Sequence, residues 1–150
     1  MTCQNNELVL NNTLIQMACS FLQYVAESWP WVNVDSGFIE AQVRVLAARQ
    51  RQDVGEIVTL LTEREHYIDF GSFPTEYTDQ QFLSLQVLIS RLKLSQTLIC
   101  NRISTAGVSL KAGGDVVAAE LLASVEIHER DILNALFEVE QELLAAKAVV

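Results

Sequence analysis

Several protein classes are excluded by what this chain has little of. Ten Lys and Arg stand against nineteen Asp and Glu, for a net charge of −9 and a pI near 4.6. Nucleic acid and anionic membrane both need a basic face, so neither is expected as a partner. The three cysteines, Cys3, Cys19 and Cys100, are odd in number and lack a C-x-x-C spacing. That excludes a disulfide framework and a thiolate metal site, and points to reduced thiols in the cytoplasm. The opening residues, Met1 to Glu7, place no cationic segment before the apolar run, so no signal peptide is read there. No stretch of useful length alternates apolar and polar residues at strand spacing, and there is no low-complexity tract or internal repeat. A glycine-rich phosphate loop is missing, and neither Cys19 nor Cys100 has a His nearby in sequence to activate it.

Helical pattern fills the space these absences leave. The mass of 16.7 kDa suits one domain with one continuous core. Half of the residues are apolar and the mean hydropathy is +0.22, an excess that in small domains often ends in subunit contacts. The uncharged run from Leu8 to Ala26 has the length of a membrane span. Asn11, Asn12, Thr13, Gln16, Ser20 and Gln23 interrupt it, so it reads as a buried bundle helix. Four helices are predicted, over about 6–28, 36–66, 78–104 and 115–146. The fold class is therefore all-α, a four-helix bundle.

The seams follow from the spacing. Leu14, Ala18, Phe21 and Val25 line the first helix, with a second apolar row at Leu10, Met17 and Tyr24. Pro30 ends that helix. Asp35 or Ser36 is expected to cap the second, whose seam is Ile39, Val43, Leu46, Val54, Ile57 and Leu61, with a polar break at 49–53. Thr78 is expected to cap the third, with Phe82, Leu85, Ile89, Leu92, Gln96, Ile99 and Ile103 inward. Residues 105–114 read as a loop ending in Gly113-Gly114. Asp115 caps the fourth helix, whose seam is drawn through Val117, Leu121, Val125, His128, Ile132, Val139 and Leu143. The segment Tyr67-Ile-Asp-Phe-Gly-Ser-Phe-Pro-Thr-Glu-Tyr77 can reach roughly 36 Å when extended. It is long enough to cross the bundle and set the second and third helices parallel. Two apolar rows on the first helix, where one seam buries only one, predict a homo-oligomer using its outer row.

Gln23-Tyr-Val-Ala-Glu-Ser-Trp-Pro-Trp31 and Gly71-Ser-Phe-Pro-Thr-Glu-Tyr-Thr-Asp-Gln-Gln-Phe-Leu-Ser-Leu85 resemble an uncharacterised bacterial family of small ferritin-like helical bundles. The likeness extends loosely through Gln86 to Asn101 and covers about half of the chain. It implies a ferritin-like crossover between the second and third helices, and no established activity. The wider superfamily often holds two irons on a Glu from each of two helices and a Glu-x-x-His from each of the others. This chain offers Glu63-Arg-Glu-His66 on its second helix. The fourth offers Glu126-Ile-His-Glu129, and the third has no Glu between Thr78 and Ser104.

Candidate site residues come from these patterns. Gln50, Asp53, Gln96 and His128 fall near the middles of three helices and predict one central polar layer, either a hydrogen-bonded register device or a variant metal site. The candidate metal ligands are Asp53, Glu63, His66, His128 and Glu129, with iron or manganese as the ion. Glu63 and His66 read first as a solvated helix end, with His66 placed against the helix dipole. Trp29, Trp31, Phe70, Phe73 and Tyr77 read as a plug over the core, with a ligand pocket as the alternative. Glu126, Glu129, Asp131, Glu138, Glu140 and Glu142 read as the solvated face of the fourth helix. The leading expectation is a non-enzymatic bundle with no cofactor, acting through self-association or a protein partner. The second is a metal-dependent oxidase or iron-handling protein.

Overall fold

A computed structural model describes residues 2–29, 34–77 and 84–148. Among them are five α-helices and no strand: α1 (Thr2–Ala18), α2 (Phe21–Glu27), α3 (Val34–Glu63), α4 (Leu85–Ala112) and α5 (Val116–Ala148). No helix of the described residues is long and apolar enough to cross a membrane. α1 and α2 together form one rod of a four-helix bundle, whose most extensive helix pair is α4 with α5.

The first rod is broken into α1 and α2, whereas the sequence predicts one helix over about 6–28. Ser20 adopts an extended backbone and caps α2, its Oγ accepting from the Gln23 N–H. A serine side chain competes with the helix for backbone partners, and here it wins for one residue. α3 runs unbroken through the polar stretch 49–53, and Asp35 and Ser36 lie inside it. It ends at Glu63 rather than His66, because Glu65 takes a left-handed φ of 55°. The Glu65 and His66 N–H groups then close onto the Thr62 and Leu61 carbonyls, the helix-ending motif that glycine usually supplies. α4 is shifted along the chain relative to the predicted 78–104. Its cap is Ser84, and it continues through 105–112, predicted as a loop. Only Gly113, Gly114 and Asp115 turn the chain, with Asp115 Oδ1 accepting from the Ala118 N–H as expected of a cap. The expected roles of Pro30, Trp31, Thr78 and Phe82 lie outside the described residues.

The core has two apolar halves. One joins Phe21, Leu22 and Val25 with Ile39, Val43 and Leu46, with Leu88, Ile89 and Leu92, and with Ile132, Leu136 and Val139. The other joins Leu10, Leu14 and Met17 with Val54, Ile57 and Leu61, with Ile99, Ile103 and Leu110, and with Ala118, Leu122 and Val125. Both apolar rows of the first rod are thus covered within the chain: Leu10 and Met17 are wholly buried. Tyr24 is met by the rings of Phe73 and Tyr77. The segment 69–77 lies along α1 and α2. Asn11 bonds the Asp69 backbone, Cys19 Sγ donates to the Phe70 carbonyl, and Tyr77 packs on Phe21.

The α5 seam is corrected in its first half. Ala118, Leu122, Val125, Glu129, Ile132, Leu136 and Val139 are buried, whereas Val117 is 61% exposed. These positions alternate four and three apart, as a bundle seam requires. The expected seam through His128 is one residue out of register, and Glu129 occupies the buried position.

Candidate functional site

A polar layer separates the two apolar halves, and every rod contributes to it. Gln50 of α3 is its hub. Gln50 Oε1 accepts from Ser20 Oγ at 2.6 Å and from Gln23 Nε2 at 3.0 Å. Gln50 Nε2 donates to Glu129 Oε1 at 2.7 Å and reaches Gln96 Oε1 at 3.4 Å. Gln96 Nε2 donates to Glu129 twice, at the backbone oxygen (2.9 Å) and at Oε1 (3.1 Å). Gln23 Nε2 also donates to the Ala47 carbonyl, and Arg51 donates to Gln23 Oε1. Buried polar groups are costly unless paired, and this layer pairs nearly all of its own.

Two oxygens are exceptions. Asp53 Oδ2 and Glu129 Oε2 are buried without a hydrogen-bond donor among the described residues. Their carboxyl groups lie within hydrogen-bonding reach of each other. Burial, and then the Asp53 carboxylate beside it, push Glu129 up to about 8, while the Gln50 and Gln96 amides pull the other way. One proton held between the two carboxyls satisfies both orphan oxygens, and a bound cation satisfies them equally well.

On its outer side Asp53 meets solvent-facing groups. His128 Nδ1 lies 2.8 Å from Asp53 Oδ1, with the His128 side chain 43% exposed and that of Asp53 3% exposed. Glu56 stands one turn after Asp53 on α3. Donor atoms of Asp53, Glu56 and His128 all lie within 4.8 Å of one another. The arrangement is a small tripod between α3 and α5, with Glu129 behind it and water in front.

The five residues expected as ligands therefore divide. Asp53, His128 and Glu129 come together. Glu63 is exposed at the end of α3, roughly 15 Å further along the helix by its rise per residue. His66 lies beyond that end, and its buried Nδ1 has no partner among the described residues. Glu56 was missed, although Asp53-Val-Gly-Glu56 places two carboxylates on one helix face. Ser20 and Gln23 were missed for a different reason: only the break after Cys19 turns both into the layer. Within the acidic face expected of the fourth helix, Glu126 pairs with Arg130 and Glu140 with Lys93, but Glu129 is fully buried.

A two-iron centre does not fit this layer. Where bridging carboxylates would be needed, Gln50 and Gln96 direct amide hydrogens at Glu129, and a donor aimed at the centre repels a cation. A single divalent ion fits the outer tripod, which offers one imidazole and two carboxylates with open positions toward solvent. Compared with known proteins, the chain matches no family model, no curated protein and no solved structure.

Proposed function

We propose that this chain is a small ferritin-like bundle that holds one divalent transition-metal ion on Asp53, Glu56 and His128. The observation that carries the reading is the convergence of those three donors next to a buried, incompletely satisfied carboxyl pair. Carboxylates favour hard ions and imidazole favours borderline ones, so ferrous iron and manganese suit the set better than calcium. His128 must be neutral to bind, and it is held beside Asp53 through Nδ1, 2.8 Å from Oδ1. The Gln50 and Gln96 amides inside keep Glu129 in place behind Asp53.

A ferritin-like topology is part of this proposal. What supports it is the composition of the two core halves. The first halves of α3 and α4 share one cluster with α2 and the last part of α5, and their second halves share the other. Helices α3 and α4 that run in the same direction need a connection along the length of the bundle, and 69–77 follows α1 and α2 that way. Membership of the bacterial family rests on the two aromatic-proline stretches. Self-association through the first helix loses its ground, because its second row is already covered.

Elemental analysis of protein purified without chelator tests the function. About one iron or manganese per chain is expected, retained in Glu63→Gln and lost in His128→Gln and Asp53→Asn. Absence of metal after ferrous or manganous loading overturns the proposal, as does a His128→Gln variant that binds as before. Two ions per chain would restore the two-iron reading.

A further inference from the structure

A second site lies on the other side of the bundle. The break between α1 and α2, the segment 72–77 and the outer face of α4 enclose a half-open groove of about 570 Å³. Its size is that of a small-molecule site. Leu94 and Leu98 form its floor and stay 63% and 48% exposed. Ile15, Phe21 and Tyr77 face them across the groove. Arg91 and Arg102, on the same face of α4, stand at its two ends. Arg102 is engaged by Gln16 Oε1. Arg91 makes no ion pair or hydrogen bond with the described residues.

The charge pattern selects the occupant. In a chain of net charge −9 an anion is repelled almost everywhere. Among the described residues that line this groove, two guanidinium groups outweigh one carboxylate, Glu76. The Arg91 guanidinium offers two parallel donors to a carboxylate, and from it the apolar floor runs along α4 for roughly 10 Å, taking the helical rise from Arg91 to Leu98. We propose that the groove binds an elongated amphipathic monocarboxylate of the medium-chain fatty-acid class, with its carboxylate on Arg91 and its chain along Leu94 and Leu98. Glu76, in the same lining, lowers the affinity for any anion bound there. The site is independent of the metal tripod, so either can fail without the other.

Titration calorimetry with decanoate, below its self-association range and at fixed ionic strength, tests the assignment, with amide chemical-shift mapping to locate the site. Saturable binding is expected, with shifts confined to 15–21, 72–77 and 91–102. Arg91→Gln weakens it by roughly tenfold or more, the loss of one charge-assisted pair. Glu76→Gln tightens it, and decanol binds more weakly than decanoate. Arg91 and Glu76 are both exposed, so both variants keep the fold. Unsaturable binding, shifts elsewhere, an unaffected Arg91→Gln, or decanol binding as well as decanoate would each overturn the proposal. The last result would mean an apolar groove without a head-group site.

Discussion

Glu129 is the residue where burial and charge conflict most. It occupies a fully buried seam position of α5 and accepts two amide donors at Oε1, while its Oε2 is buried near Asp53 without a donor among the described residues. Its pKa rises from 4.5 to about 8, so near neutrality the folded metal-free chain holds a proton that the unfolded chain releases. The stability this proton contributes is complete below the unfolded value and is lost as pH rises through about 8. Urea unfolding of chelator-treated protein should therefore show stability falling across that window, and Glu129→Gln, which keeps a neutral hydrogen-bonding group, should flatten the fall. An unchanged slope in the variant would assign it to other groups. The sequence made this residue hard to place, because a glutamate reads as surface. The apolar spacing runs through His128 instead, which the structure leaves half-exposed on the Asp53 carboxylate.

At the scale of elements, two features depend on close packing of neighbouring segments. The break at Ser20 costs helical hydrogen bonds, but it turns the Ser20 hydroxyl and the Gln23 amide into the polar layer. The connection after α3 depends on Gly71. Its φ is +71°, and an added Cβ would stand 2.8 Å from Ile15 Cγ2 and 3.2 Å from Cys19 Sγ. Gly71→Ala should lower stability by about 1–3 kcal/mol, from left-handed strain and overpacking together, measured by chemical denaturation. A neutral substitution would mean the segment does not rest on α1 as described. The aromatic segment was legible as ordered. Its role divides: Phe73 and Tyr77 pack on Phe21 and Tyr24, while Phe70 and Tyr67 remain exposed. Trp29 packs half-buried against the core, and Trp31 lies outside the described residues.

The whole bundle is fastened in its middle by the polar layer and at one end by Arg64. That guanidinium bonds both Asp115 oxygens, at 2.6 and 2.9 Å, and Glu7 at 3.1 Å. It joins the end of α3 to the start of α1 and to the α4–α5 turn, where Asp115 also caps α5. Arg64 holds the Asp115 carboxyl below its usual range. The resulting stability is present above the ordinary value of 3.8 and is lost as pH falls through the lowered one. Arg64→Met should cost about 1–3 kcal/mol near neutral pH, chiefly by leaving two partly buried carboxylates without their donor. The difference from wild type should shrink in acid as Asp115 protonates. A cost that is the same at all pH values would mean that packing of the side-chain stem, not the charge, is what matters.

The amino-acid sequence by itself determined that the chain is all-helical. It also determined which faces of α3 and α4 turn inward, because Ile39 to Leu61 and Ile89 to Ile103 repeat with the helical period and hydrophobic burial acts on that period alone. It placed Gln50, Asp53 and Gln96 in one layer for the same reason. The tertiary structure decided what that layer is made of. Whether Glu129 or His128 faces the core depends on partners more than thirty residues away in sequence, such as the Gln96 amide, and on a neighbouring carboxyl that can share a proton. The break at Ser20, the extension of α4 through 105–112 and the meeting of Asp53, Glu56 and His128 likewise follow from contacts between rods. Local periodicity carries no record of those contacts, because it reports which side of a helix is apolar and not which group stands opposite.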